Sequence, residues 1–158
     1  MKIVIDTNVF VKAIFHNDKW CQKVLENVQN GLVTYYLNDA IDTEINFIFM
    51  FHAIEIGKTL REIIGPHNRL HRLLWKAEKV FHVTKSSLCV DDEDDNKFID
   101  CAVDSKANYI ITQDGSHLFG LEESIKKEYG IALKILSPYQ FMIEFNANKY
   151  NKKISIKK

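Results

Sequence analysis

The first eight residues constrain this chain more than any other stretch. Lys2 leads into Ile3-Val4-Ile5, a β-branched run with the pattern of a strand buried on both faces. It stops at Asp6-Thr7-Asn8, a carboxylate followed by residues suited to opening a helix. A strand of this kind belongs in a parallel sheet covered by helices on both sides, where ligands bind beyond the carboxyl ends of the strands. Asp6 is thus either a functional carboxylate at that edge or simply the cap of a helix starting near Val9. Tyr109-Ile110-Ile111-Thr112-Gln113-Asp114 repeats the design, a second buried strand ending in a carboxylate.

Between these two strands the apolar spacing predicts helix from Val9 to about Gly31, interrupted near His16 to Asp18, then a short strand over Leu32 to Leu37. Asn38 or Asp39 caps the next helix, in which Ile41, Glu44, Ile48 and Phe51 recur at spacings of three and four. Glu44 then projects from an apolar stripe, where an unpaired carboxylate costs several kcal/mol and needs a cation, a proton or a strong donor; at the stripe's edge it reaches water instead. Leu60 to Val80 reads as helix broken at Gly65-Pro66, and it is the most basic part of the chain. Within it His67 and His71 have the spacing of a helical metal pair, but no glutamate of the H-E-x-x-H type lies between them, and a solvated helix face is the simpler reading. Trp20 and Trp75 read as core or groove packing rather than base-stacking platforms. Val80 to Val83 is expected to form a third strand. In the acidic run Asp91-Asp92-Glu93-Asp94-Asp95 most carboxylates are solvated or cap the helix that carries Phe98, Ile99, Ala102 and Val103. A last strand, Ala132 to Leu136, precedes a helix from Tyr139.

The 158 residues suit one domain, and 46% hydrophobic residues suffice for its core. We expect the domain to span residues 1–146, with a lysine-rich tail over 147–158 that is disordered or a flexible contact. Lysine plus arginine and aspartate plus glutamate both number 21, so a polyanionic partner would need a local basic patch; Arg69 and Arg72 are the candidates, with the lysines of the tail as the alternative. Three apolar residues before Asp6 do not make a secretory leader, and no apolar run reaches membrane-spanning length. Cys21, Cys89 and Cys101 read as reduced, buried thiols, and the expected location is the cytoplasm.

Strands alternating with helices give an α/β fold with a mainly parallel sheet. That fold sets Asp6, Glu44, Asp95 and Asp114 at one rim. At about 5 Å and an effective dielectric near 20, each ionised pair costs roughly 3 kcal/mol. Hard divalent cations with oxygen ligands, Mg²⁺ or Mn²⁺, are the natural compensation.

Asp6-Thr7-Asn8 after the first strand, Glu44, Asp95 leading Asn96-Lys97-Phe98-Ile99-Asp100-Cys101-Ala102, Ile110 to Asp114, and the closing Ile135 to Phe141 together resemble the PIN domain family, and within it the bacterial VapC-like toxins of toxin–antitoxin pairs. The resemblance implies a three-layer α/β/α fold and an Mg²⁺- or Mn²⁺-dependent endoribonuclease, with Asp6, Glu44, Asp95 and Asp114 binding metal. By the same resemblance Thr7, Asn8, Asp92 and Thr112 are expected to support the site. It also implies an RNA substrate, a cognate antitoxin and a homodimer. Some members carry a further acid after the last of the four; here Gly115-Ser116-His117 follows, so a second metal depends on Asp92 folding back. One metal would activate water and a second would stabilise the leaving oxygen. The alternative is a non-catalytic PIN-like module binding RNA or protein. Phosphotransfer domains fit poorly: the haloacid-dehalogenase type needs an aspartate where Asn8 stands, and a receiver domain needs an acidic pair before its strand-end aspartate.

Overall fold

The structure is a computed structural model that describes residues 1–81, 83–113 and 117–155, with the side chains of the last helix described as far as Lys149. Five parallel strands form one sheet in the order β3-β2-β1-β4-β5: β1 (Lys2–Ile5), β2 (Thr34–Leu37), β3 (Glu78–Lys79), β4 (Tyr109–Ile111) and β5 (Lys134–Leu136). The helices are α1 (Thr7–Ile14), α2 (Lys19–Gln29), α3 (Asp39–Glu55), α4 (Leu60–Leu74), α5 (Asn96–Ser105), α6 (Glu122–Tyr129) and α7 (Pro138–Ser155). α5 packs against β1, β2 and β4, α1 packs on α2 and α3, and α7 returns to pack on α2; the right-handed rule for parallel crossovers sets α5 and the α1–α2 pair on opposite faces. This is the expected three-layer α/β/α arrangement.

Ile3, Val4 and Ile5 are fully buried at the centre of the sheet, as a strand covered on both faces requires. The connections from β1 lead one way, to β2 and β3, and those from β4 lead the other, to β5. The gap between the ends of β1 and β4 is therefore the topological switch point, where such sheets bind ligands. There Ile5 pairs with Ile111, and the Asp6 amide donates to the Ile111 carbonyl at 2.9 Å, so Asp6 and Thr112 emerge side by side.

The helix interruption at His16 to Asp18 is present, and Asp18 caps α2 through the amides of Trp20 and Cys21. Other expectations are corrected. The third strand lies over Glu78–Lys79, pairing with Tyr36 and Leu37, instead of Val80 to Val83. Phe81 and Val83 are 91% and 78% exposed, because a two-residue edge ladder ends before them and nothing covers their apolar side chains. The chain then crosses α5, pinned where Asp104 accepts from the amides of Val83 and Thr84 and Asp100 accepts from that of Ser86. The buried side of α3 is Ile41, Ile45, Phe49 and Ala53, so Phe51 faces outward and Glu44 flanks the buried stripe rather than lying within it. α7 continues to Ser155, so helix occupies most of the stretch read as a disordered or flexible tail. The remainder, 156–158, lies outside the described residues. Trp75, just beyond α4, is 88% exposed and borders a groove with His71, Arg72 and Lys76, the groove rather than the core alternative of its expected packing.

Nor does Gly65-Pro66 break a helix: α4 runs unbroken from Leu60 to Leu74. A capping box between Thr59 and Glu62 starts it, and burial of Ile63, Leu70, Leu73 and Leu74 spans the proline on both sides. That packing outweighs the missing amide of Pro66. Replacing Pro66 with Ala restores one helical hydrogen bond and is expected to raise the unfolding free energy by about 1–3 kcal/mol, the helix gain less the rigidity that proline gives the unfolded chain. Urea denaturation of the two proteins checks it; an unchanged or lower midpoint would contradict this account of α4.

Candidate metal-binding site at the strand switch point

Asp6 is 7% exposed and caps α1, the second of the two readings that the sequence offers. As N-cap of α1 its Oδ1 accepts from the Asn8 amide at 3.1 Å. Its Oδ2 accepts from Thr112 Oγ1 at 2.6 Å and from Asn8 Nδ2 at 2.7 Å. Asn8 Oδ1 in turn accepts from the Gln113 amide at 3.0 Å, tying the start of α1 to the chain leaving β4. These donors favour the carboxylate. Burial outweighs them and pushes the Asp6 carboxyl up to about 6, with Asp95 and Glu44 adding to the rise.

Glu44 enters from α3 and lines the same cleft as Asp6, Thr7, Asn8, Val11, Lys12 and Ile48. Its carboxylate pairs with the Lys97 ammonium, whose side chain is 13% exposed and also donates to the Asp94 carbonyl at 2.8 Å. This is the cation that Glu44 required. The wall is positioned by Asn38, fully buried at the start of α3. Its Oδ1 accepts from the Ile41 amide at 2.9 Å and its Nδ2 donates to the Lys97 carbonyl at 3.2 Å. One amide thus caps the Glu44 helix and holds it against the first turn of α5.

Asp95 precedes α5 without capping it through its side chain. Burial raises its pKa most, the Asp92 charge adds to that, Lys97 and His117 oppose it, and Glu44 adds a smaller push. Asp92 itself caps the short 3-10 turn Glu93–Asp95, accepting from the Asp94 amide at 3.1 Å. Thr7 Oγ1 is buried without a hydrogen-bond partner among the described residues. Asp114 lies outside the described residues.

Glu44 and Asp95 are close enough to Asp6 to raise its cost of ionisation, and Glu44 does the same to Asp95, yet among the described residues no three acidic, histidine or cysteine side chains stand close enough to hold one ion. The donor set nevertheless fits a hard cation: all are carboxylate oxygens, and two of the three have their charge disfavoured where they stand. Arg69 and Arg72 are exposed on α4. Arg72 borders a groove with Gln29, Asn68, His71, Trp75 and Lys76, while a second groove joins His71 and Trp75 to Asp42 and Asn46. Asp42 and Asn46 lie two residues either side of Glu44 and so on the opposite face of α3. The cation lining the acidic cleft is Lys12. Lys97 and His117 are the residues that sequence reasoning missed: a single lysine beside five acids reads as solvated, and its pairing with a glutamate more than fifty residues away depends on the α3–α5 contact.

Comparisons with known proteins agree with this architecture. Residues 2–116 match the PIN domain. The chain is 34% identical over 151 residues to the uncharacterised protein MJ1680 of Methanocaldococcus jannaschii, covering 92% of each. Its fold is similar to the crystal structure of VapBC2 from Rickettsia felis bound to a DNA fragment from their promoter, with a TM-score of 0.52 and 14% identity over 87% of this chain and 98% of that one. With a matching profile over most of its length and a relative above 30% identity, the chain belongs to the PIN domain family.

Proposed function

We propose that the protein is a Mg²⁺- or Mn²⁺-dependent endoribonuclease, and the toxin of a toxin–antitoxin pair. The observation that carries this is the buried Asp6 carboxyl at the strand switch point, held near pKa 6 with Glu44 and Asp95 facing it. When bound, a divalent ion supplies Lewis-acid activation of water and phosphate. Asp6, Glu44, Asp95 and Asp114 would hold it. Thr112 and Asn8 fix the Asp6 carboxylate, and Asn38 with Lys97 fixes Glu44. Thr7 contributes a buried hydroxyl, unpaired among the described residues, at the same point, and Asp92 tunes Asp95. Membership of the PIN family supports nuclease chemistry; the likeness to a VapBC2 complex and the exposed Phe47, Phe51, Ile54, Leu60 and Ile64 along α3 and α4 support a protein partner, antitoxin or second copy. Among the described residues no helix is long and apolar enough to cross a membrane. Incubating purified protein with single-stranded RNA and Mn²⁺ tests the reading. Cleavage is expected, together with its loss in Asp6→Asn and Glu44→Gln proteins that remain folded by circular dichroism. Equal cleavage by both variants removes the site; RNA binding without cleavage by the native chain leaves the non-catalytic module.

The Asp6 carboxyl also sets a pH dependence. Its folded pKa, about 6, exceeds the ordinary value of 3.8, so the metal-free fold holds the proton more tightly than the unfolded chain does. Stability from this group is therefore present at low pH and lost as pH rises from about 4 through 6, by ~3 kcal/mol in all. Without divalent ions the stability advantage of Asp6→Asn over the native protein should grow by that amount across this window. Saturating Mn²⁺ should stabilise the native protein at pH 7 much more than at pH 4. Thermal melts in chelator and in Mn²⁺ measure both; native and variant curves that run parallel with pH would count against the buried carboxylate.

RNA grip distinguishes two surfaces. If the strand continues from the cleft round α3 to the groove at Trp75, neutralising Arg69 and Arg72 together should flatten the log–log salt dependence of RNA binding by about one unit per lost phosphate contact. If the strand stays in the cleft, Lys12→Ala should flatten it and the double variant should not. Filter binding at several salt concentrations separates these.

A further inference from the structure

The acidic cleft is the upper end of a longer seam between α1 and α3. On α1, Asn8 and Lys12 line it; on α3, Glu44 and Ile48 do. One helical turn further on each side stand His16, just beyond α1, and His52, in the last turn of α3. Their Nε2 atoms are 3.1 Å apart and their ring centroids 5.1 Å apart, with Phe15 packed edge-on against His52. On its other side His52 Nδ1 lies 3.4 Å from the Glu55 carboxylate. From the position of Glu44 the pair is about 12 Å further along α3, at a rise of 1.5 Å per residue.

We propose that His16 and His52 form a second cation site, for a zinc-class transition metal, with Glu55 as the carboxylate that orients His52. A proton on Nδ1 facing Glu55 leaves Nε2 of neutral His52 as the lone-pair nitrogen. That is the tautomer a metal takes, and a carboxylate on the far ring nitrogen is the usual outer partner of a metal-bound imidazole. Two imidazoles bound at 2.0–2.1 Å to one tetrahedral ion have their nitrogens about 3.3 Å apart, close to the separation found here. The remaining two positions are open to water. Imidazole nitrogen suits zinc-class ions and not the hard Mg²⁺ that suits the carboxylate end, so the two ends of the seam select different metals. A metal here would join the end of α1 to the end of α3, the two helices whose upper halves wall the acidic cleft.

His67 and His71 on α4 also bring their Nε2 atoms within 3.1 Å, so the test removes them. In full-length protein carrying Asp6→Asn and His71→Ala, which quiets the acidic end and the α4 pair, Zn²⁺ competition against a chromophoric indicator should find one equivalent bound. Zn²⁺, and not Mg²⁺, should raise its melting temperature. Adding His16→Ala, at an exposed position, should abolish both effects, and Glu55→Gln should weaken binding roughly 10- to 100-fold. No zinc bound by the background protein, or binding unaltered by His16→Ala, means that the two rings share an N–H···N hydrogen bond and nothing more. Unchanged affinity in Glu55→Gln overturns the assignment of the carboxylate. None of these readouts depends on RNA cleavage.

Discussion

A carboxylate kept out of water at the end of the central strand is the constraint around which this molecule is arranged. Placing Asp6 there needs β1 covered on both faces, β4 in register beside it, and three hydrogen-bond donors delivered from two segments a hundred residues apart. Those donors reduce the penalty of burial without cancelling it. A positive charge placed beside Asp6 would offset that residual cost, whereas a carboxylate already satisfied by its neighbours would have little left to offer an ion.

The second acidic wall is built differently. Glu44 is balanced internally by Lys97, and both are set by one buried asparagine that caps α3 and grips the backbone of α5. Asp95 sits two residues before Lys97, so the same contact fixes the distance between two of the acids. Asn38 is in this sense as much a part of the site as the carboxylates, although it faces the core. The site is thus carried by an α3–α5 clasp on one side and a β1–β4 seam on the other.

How much of this can be read from the chain follows from how local each cause is. β1 and β4 are legible because burial on both faces writes an unbroken apolar run, and the α1–α2 interruption because polar residues replace the period over three positions. α6 is not legible: it buries one residue, Ile125, and so leaves no stripe. Pro66 misleads because its local cost is overridden by packing that lies elsewhere in the fold. The apolar run at Val80 to Val83 misleads for the opposite reason: Val80 still packs against the core, but Phe81 and Val83 find no partner layer. Of the site, the identities of Asp6, Glu44 and Asp95 are visible as carboxylates placed where acids are expensive, and Thr112 as the polar residue closing β4. Asn38 is legible as the cap of α3, but its hold on α5 and the pairing of Lys97 with Glu44 are not, because both exist only across the α3–α5 contact.

The three cysteines lie on different parts of this framework. Cys21 on α2 accepts from Gln113 Nε2 at 3.1 Å, Cys89 reaches the His117 carbonyl at 3.5 Å, and Cys101 is fully buried on α5. Burial pushes the Cys21 and Cys101 thiols up to about 12 and raises that of Cys89. Since only an exposed thiolate attacks a disulfide reagent at an appreciable rate, each sulfur is inert until its own segment opens. The labelling rates of three single-cysteine proteins therefore resolve separate opening events: α2 leaving the chain beyond β4, the 81–90 crossing leaving α5, and the core as a whole. The chain carries its own set of clocks, each started by a different part of the fold letting go.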